Sequence, residues 1–295
     1  MAKIFLIGGT GLVGKALQKK LLEDGHTITV FNRRRKSTAP LPERTSETSL
    51  LSPESLANHD AVINLAGAGI FDKAWTKARK VELIESRVDL TQNLVQMLNQ
   101  MRETSRPKRL ISASAVGFYG TSWTKSFEED DPSGEDFLAR LCVDWEKAAQ
   151  AFKGEVCIGR LGIVLAREGG MLKKLGPLFK LFLGGPLDSG KQWISWIHVE
   201  DVVNILTYLL TAPPKTYNIV APQTVRQEAF AKSLGEALGR TSFMPTPAML
   251  LRLVLGERAH YLITGQKVIP RALIVQNYAF QHKTLKDALK ALFPK

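Results

Sequence analysis

Gly8, Gly11 and Gly14 recur at three-residue intervals within the run Gly8-Gly9-Thr10-Gly11-Leu12-Val13-Gly14. Residues of this type and spacing can hold a pyrophosphate. The early glycines let the chain turn sharply and bring backbone N–H groups against an anion, and the last lets a helix pack close to a strand. A helix that starts there adds the partial positive charge of its N-terminus. Further on, the chain reads Val30-Phe31-Asn32-Arg33-Arg34-Arg35, with no carboxylate. A dinucleotide with a free ribose 2′-hydroxyl calls for an acid at that point, whereas arginine pairs with a 2′-phosphate through charge-assisted hydrogen bonds. The expected cofactor is therefore NADP(H). Gly8, Thr10, Gly11, Leu12, Val13 and Gly14 would lie along it, with Arg33 as first choice and Arg34 as second for the 2′-phosphate.

Such residues need a strand–turn–helix–strand frame. Lys3 to Ile7 is a short apolar run, Leu12 to Leu22 carries apolar side chains at helical spacing with Gly25 closing it, and Thr27 to Phe31 is β-branched and aromatic. Strand-like runs at Ala61 to Leu65, Arg109 to Ala113 and Val156 to Leu161 alternate with helical stretches at Trp75 to Met101 and Asp136 to Phe152. That alternation predicts an α/β fold, a Rossmann-like doubly wound parallel sheet with a smaller C-terminal substrate-side lobe. Residues 1–165 are expected to form the dinucleotide-binding domain, with segments around 199–222 returning to it, and residues 166–295 to form mainly the second lobe.

Composition narrows the rest. Cys142 and Cys157 cannot build a disulfide framework and match no zinc spacing, so a reducing compartment is expected and no metal. The opening MAKIFLIGG is too short for a signal peptide, and no apolar run approaches the length of a membrane span. The expected location is cytoplasmic, with no membrane partner. A net charge of +12 fits an anionic cofactor and substrate, and no nucleic-acid motif accompanies it. A small-molecule substrate is expected and nucleic acid is not; a homodimer and a regulatory protein partner both stay open.

The GxxGxxG spacing resembles the short-chain dehydrogenase/reductase superfamily. Asn64-Leu65-Ala66-Gly67 is similar to its NNAG turn, Ser112 to Gly120 (SASAVGFYG) to the SSxxVYG segment of the extended branch, and Trp196 to Asp201 (WIHVED) to that branch's WVHVxD element. ISASAVGFYG, DFLARLCVDWEKAA, GGPLDSGKQWISWIHVEDV and GQKVIPRAL together resemble the atypical epimerase-family proteins, whose members carry a C-terminal segment of their own, here residues 245–295. The resemblance implies that Leu65, Ala66 and Gly67 flank the adenine side of the cofactor and that Leu161 and Gly162 lie near the nicotinamide.

Short-chain reductases pair a serine with Tyr-x-x-x-Lys on one helix, where the lysine lowers the tyrosine pKa so that the phenol can exchange a proton. The serine has a counterpart in Ser114. The helix that should carry the pair has Leu138 and Cys142 instead, and the dyad is absent. Tyr119 is the candidate proton donor in its place, and Ser114 would polarise the reacting oxygen. Cys142, Lys173, Lys174 and His198 are lesser candidates, His198 more simply orienting a helix start. Trp193 and Trp196 are weighed as pocket lining against core packing. The expectation is an NADP(H)-binding oxidoreductase or epimerase acting on a nucleotide sugar or small carbonyl compound. The alternative is a non-catalytic NADP(H)-binding regulator working through a protein partner, for example in cell division.

Overall fold

A computed structural model describes residues 1–33 and 42–294. Its main element is a seven-stranded sheet made of β1 (Lys3–Ile7), β2 (Thr27–Phe31), β3 (Thr45–Thr48), β4 (Ala61–Asn64), β5 (Arg109–Ala115), β6 (Glu155–Leu161) and β7 (Thr216–Ile219). The order is β7-β6-β5-β4-β1-β2-β3, and every neighbouring pair is parallel. The order reverses between β1 and β4, which opens a crevice at the carboxyl edge where doubly wound sheets take their ligands.

Alternating side chains make both faces of the sheet apolar, as a parallel sheet covered on both sides requires. Ile4 and Leu6 of β1 point toward α1 (Leu12–Glu23) and α6 (Val199–Tyr208), meeting Leu17, Leu21, Val202 and Leu206. Phe5 and Ile7 point the other way, into a core with Leu94 and Leu98 of α3 (Leu90–Gln100) and Ala149 of α4 (Phe137–Gln150). Residues 199–219 thus return to the large sheet. Leu273 and Phe280, near the end of the chain, share the first of these cores.

The second lobe has its own core, in which Leu172, Trp196, Phe230 and Leu289 pack together. It contains α5 (Gly170–Lys180), α7 (Gln227–Leu238), α8 (Ala248–Leu255) and α9 (Leu285–Leu292). The long helical stretch expected over Trp75 to Met101 is α2 (Lys77–Ile84) running into α3 through a π-helical turn at Glu85–Asp89.

Candidate functional site

Ile7, Asn64, Ala115 and Leu161 end four parallel strands. The segments that follow them therefore meet along one edge, which brings the cofactor candidates together. Gly8 has φ +82°, and a Cβ there would stand 2.6 Å from the Leu65 carbonyl carbon and 2.9 Å from Ala66 N, so only glycine lets the two loops touch. A Cβ on Gly14 would lie 2.3 Å from Gly8 O, which is the close helix–strand approach expected of the last glycine. Gly11 N–H donates to Gly8 O at 3.1 Å, closing the turn, while Thr10, Gly11 and Gly67 stay exposed. Leu12 meets the start of α5, where a Cβ on Gly169 would sit 2.6 Å from its Cδ1. Leu161 is in register with Ala115 and Ile219, and Gly162 N–H donates to Ile219 O at 3.0 Å. Arg33 is exposed just past β2, and Arg34 lies outside the described residues. The carboxylate of Glu47 on β3 accepts a hydrogen bond from Asn32 Nδ2 at 3.1 Å.

Two arginines missed by sequence reasoning secure the loop after β4. Arg79 donates to Gly69 O and pairs with Glu82 at 2.6 Å. Arg87, inside the π-helical turn, donates from Nη2 to Ala68 O at 2.9 Å and lies 5.3 Å over the Trp145 ring. Its guanidinium lies against one side of Gly67, where a Cβ would be 2.9 Å from Cζ. Among the described residues no carboxylate pairs with it, and burial brings its pKa down to about 10. A partly buried cation without a counter-charge, set against the candidate cofactor loop, is suited to a phosphate. Only an arginine within a polar helical stretch marks it in the sequence, because a π-helical turn has no readable signature.

The proton-transfer candidates are placed differently from expectation. Ser114 on β5 is buried, and its hydroxyl donates to Glu146 Oε1 at 2.6 Å. The hydrogen that would polarise a carbonyl oxygen is thereby turned inward, and Ser114 offers lone pairs instead. Tyr119 is buried too. Its hydroxyl donates to Asn218 Oδ1 at 2.7 Å and accepts from Arg160 Nη1 at 2.8 Å, and burial pushes its pKa up to about 12. A phenol with both roles filled and a raised pKa is a poor proton donor near neutral pH.

Glu146 joins these two residues. It stands on the α4 face of Leu138 and Cys142, one turn beyond the place of the missing lysine, and binds Arg160 through both oxygens. Arg160 also lies 3.5 Å over the Phe118 ring. Asn218 carries the chain of bonds onward by donating from Nδ2 to Ile269 O at 2.9 Å. Cys142 is buried with its thiol pKa raised to about 12, chiefly by burial, and is inert as a nucleophile.

The remaining candidates are structural. His198 caps α6, its Nδ1 accepting from Glu200 N–H at 3.2 Å. With Glu200 and His282 it brings possible metal-ligand atoms within 4.8 Å of one another, but the Nδ1 lone pair is spent on the cap and His282 Nε2 bonds Glu200 at 3.0 Å. Lys174 pairs with Asp72 at 3.1 Å, and Lys173 is exposed. Trp196 belongs to the second core, whereas Trp193 is half-buried with Arg226 Cζ 3.5 Å over its ring.

Comparison with known proteins identifies the family. The sequence profile of the NAD dependent epimerase/dehydratase family matches residues 4–220, and that of a domain of unknown function, DUF1731, matches residues 246–292. The chain is 38% identical over 299 aligned residues to the chloroplastic epimerase family protein SDR39U1 homolog of Arabidopsis thaliana, covering 98% of this chain and 86% of that one. It is 38% identical to epimerase family protein SDR39U1 of Mus musculus, with 98% of both chains covered. The crystal structure of human epimerase family protein SDR39U1 with NADPH superposes with a TM-score of 0.89 at 33% identity, covering 98% of each chain.

Proposed function

Because the chain belongs to the NAD dependent epimerase/dehydratase family, we propose that it binds NADP(H) at the carboxyl edge of its sheet and acts as an oxidoreductase or epimerase on a polar substrate. The observation that carries the reading is the contact of Gly8 with Leu65 and Ala66 at the crevice between β1 and β4, with Thr10 and Gly11 exposed at the start of α1. The human relative solved with NADPH, similar over nearly the whole chain, supports the choice of nucleotide. Gly8, Thr10, Gly11, Leu12, Val13 and Gly14 would take the pyrophosphate side and Leu65, Ala66 and Gly67 the adenine side, with Leu161 and Gly162 near the nicotinamide. Arg33, with Arg34 beyond the described residues, would meet the 2′-phosphate, and Arg87 a phosphate of the bridge. The protein would work in the cytoplasm.

When bound, the nicotinamide supplies hydride transfer. The chain's own part is the proton. With its hydrogen held by Glu146, Ser114 accepts a hydrogen bond from a substrate hydroxyl, and in the oxidative direction that proton passes to Ser114 Oγ as the serine proton passes to Glu146. A nucleotide sugar or a small hydroxy or carbonyl compound fits this polarity.

A second reading is a regulator that binds NADP(H) without turnover and acts through a protein partner. The burial of both Ser114 and Tyr119 favours it. Titration with NADPH and NADH, followed by nucleotide fluorescence, tests the shared claim, and failure to bind either would overturn it. Turnover with sugar nucleotides and small carbonyl compounds then separates enzyme from regulator.

A further inference from the structure

The second lobe carries an apolar surface that the site above does not use. At the end of α5, Leu178, Leu181, Phe182 and Leu183 are each 45% to 67% exposed. Phe243 is 70% exposed and Met244 44%. These two segments are joined: Thr246 N–H donates to Pro186 O and Asp188 N–H to Thr246 O, both at 2.8 Å, and Arg240 lies 5.1 Å over the Phe182 ring.

Helix α8 begins two residues after Thr246 and has no buried residue at all. Met249, Leu250, Leu253 and Val254 recur on one face of it, at 83%, 49%, 82% and 68% exposure. An eight-residue helix held only through the half-buried Ala248, Leu251 and Leu255 has little intrinsic stability in water, so its opposite, exposed apolar side calls for a covering surface.

Charge identifies that surface. From Gly169 to Leu187 and from Gly239 to Gly256 the chain contains no aspartate or glutamate, while Lys173, Lys174, Lys180, Arg240 and Arg252 fall within these segments. Lys174 is engaged with Asp72, Arg240 lies over Phe182 of the patch, and Lys173, Lys180 and Arg252 are exposed on the same segments. A second copy laid on the same patch would set like charges against each other. An anionic bilayer satisfies both features, because leucine, phenylalanine and methionine enter the acyl boundary while ammonium and guanidinium groups stay with the headgroups.

We propose that the surface formed by the end of α5, residues 243–246 and α8 docks this protein peripherally on anionic lipid. No helix among the described residues is long and apolar enough to cross a membrane, so the attachment is superficial. The sequence expectation of no membrane partner weighed only the length of apolar runs, and the surface offers another route.

The test is co-sedimentation of the full chain with vesicles of phosphatidylcholine alone or with about a third phosphatidylglycerol, where anionic vesicles should retain about tenfold more protein and added salt should release it. The double substitution Met249→Glu, Leu253→Glu alters two side chains that are 83% and 82% exposed, so its melting temperature should equal that of the parent while the retention is lost. Equal partition into both vesicle types overturns the proposal. So does undiminished retention of the double variant, which would assign binding to the general basic surface. A parent dimer in light scattering that the double variant dissolves overturns it as well, by making a second copy the cover.

Discussion

Arg160 and Glu146 form a two-pronged ion pair in the interior, Nε to Oε1 at 2.9 Å and Nη2 to Oε2 at 2.8 Å, with side chains only 6% and 5% exposed. The pair joins β6 to α4 and decides how both hydroxyl candidates are oriented. Ser114 gives its hydrogen to the glutamate, and Tyr119 accepts one from the arginine. The helix face that carries a proton-transfer dyad in related reductases is here the wall of a buried polar chain.

Removing one partner of this pair strands the other's charge. Glu146→Ala and Arg160→Ala should each lower unfolding free energy by about 3–5 kcal/mol. Denaturant unfolding of the two single variants and the double variant checks this, with the double expected to cost less than the sum of the singles.

Nucleotide selectivity should divide between two arginines. Arg33→Ala should weaken NADPH binding about tenfold, the loss of one charge-assisted contact, and leave NADH unchanged. Arg87→Leu should weaken both nucleotides alike, because the phosphate bridge is common to them. Fluorescence titration of each variant with each nucleotide gives the four constants needed.

Tyr119→Phe should preserve any turnover while costing about 1–3 kcal/mol of stability, since it leaves Arg160 and Asn218 each short of a partner. Ser114→Ala should remove turnover and, by taking a hydrogen bond from the buried Glu146, cost about 1–3 kcal/mol of stability. Loss of turnover in the phenylalanine variant, with its far-ultraviolet circular dichroism kept, would restore the tyrosine as proton donor.

Burial and the neighbouring His282 hold the His198 pKa down to about 4, against 6.5 for a free imidazole, with Glu200 opposing the shift. A lowered pKa means that the unfolded chain takes up the proton first. Stability contributed by neutral His198 is present above pH 6.5 and is lost as pH falls toward 4, with a slope of at most about 1.4 kcal/mol per pH unit. His198→Asn, which keeps a capping side chain, should flatten that part of the stability–pH curve.

Gly14→Ala should abolish nucleotide binding, because the added carbon would stand 2.3 Å from Gly8 O and force the glycine turn away from α1. Loss of the NADPH signal, with the far-ultraviolet circular dichroism kept, is the expected observation.

Much of the frame was legible because it rests on local chemistry. Lys3 to Phe31 reads as strand, turn, helix and strand from apolar spacing and glycine alone, and the observed β1, α1 and β2 follow it closely. β3 was not legible. Thr45-Ser46-Glu47-Thr48 is an edge strand with no fully buried residue, so it carries no apolar run. The directions in which the Ser114 and Tyr119 hydroxyls point were not legible for a different reason. Motif position places a hydroxyl near the site, but its direction depends on Glu146 and Asn218, which lie 32 and 99 residues further along the chain.

The π-helical turn at Glu85–Asp89 has a consequence for residue phase. Such a turn is what a single inserted residue leaves in an α-helix. Each residue advances an α-helix by about 100°, so deleting one position inside the turn would rotate α2 by that angle relative to α3. Arg79 on α2 and Arg87 within the turn, which grip the carbonyls of Gly69 and Ala68, could then no longer face the same loop. The added residue sets two guanidiniums in common phase, and a relative lacking it would have to support that loop by other side chains.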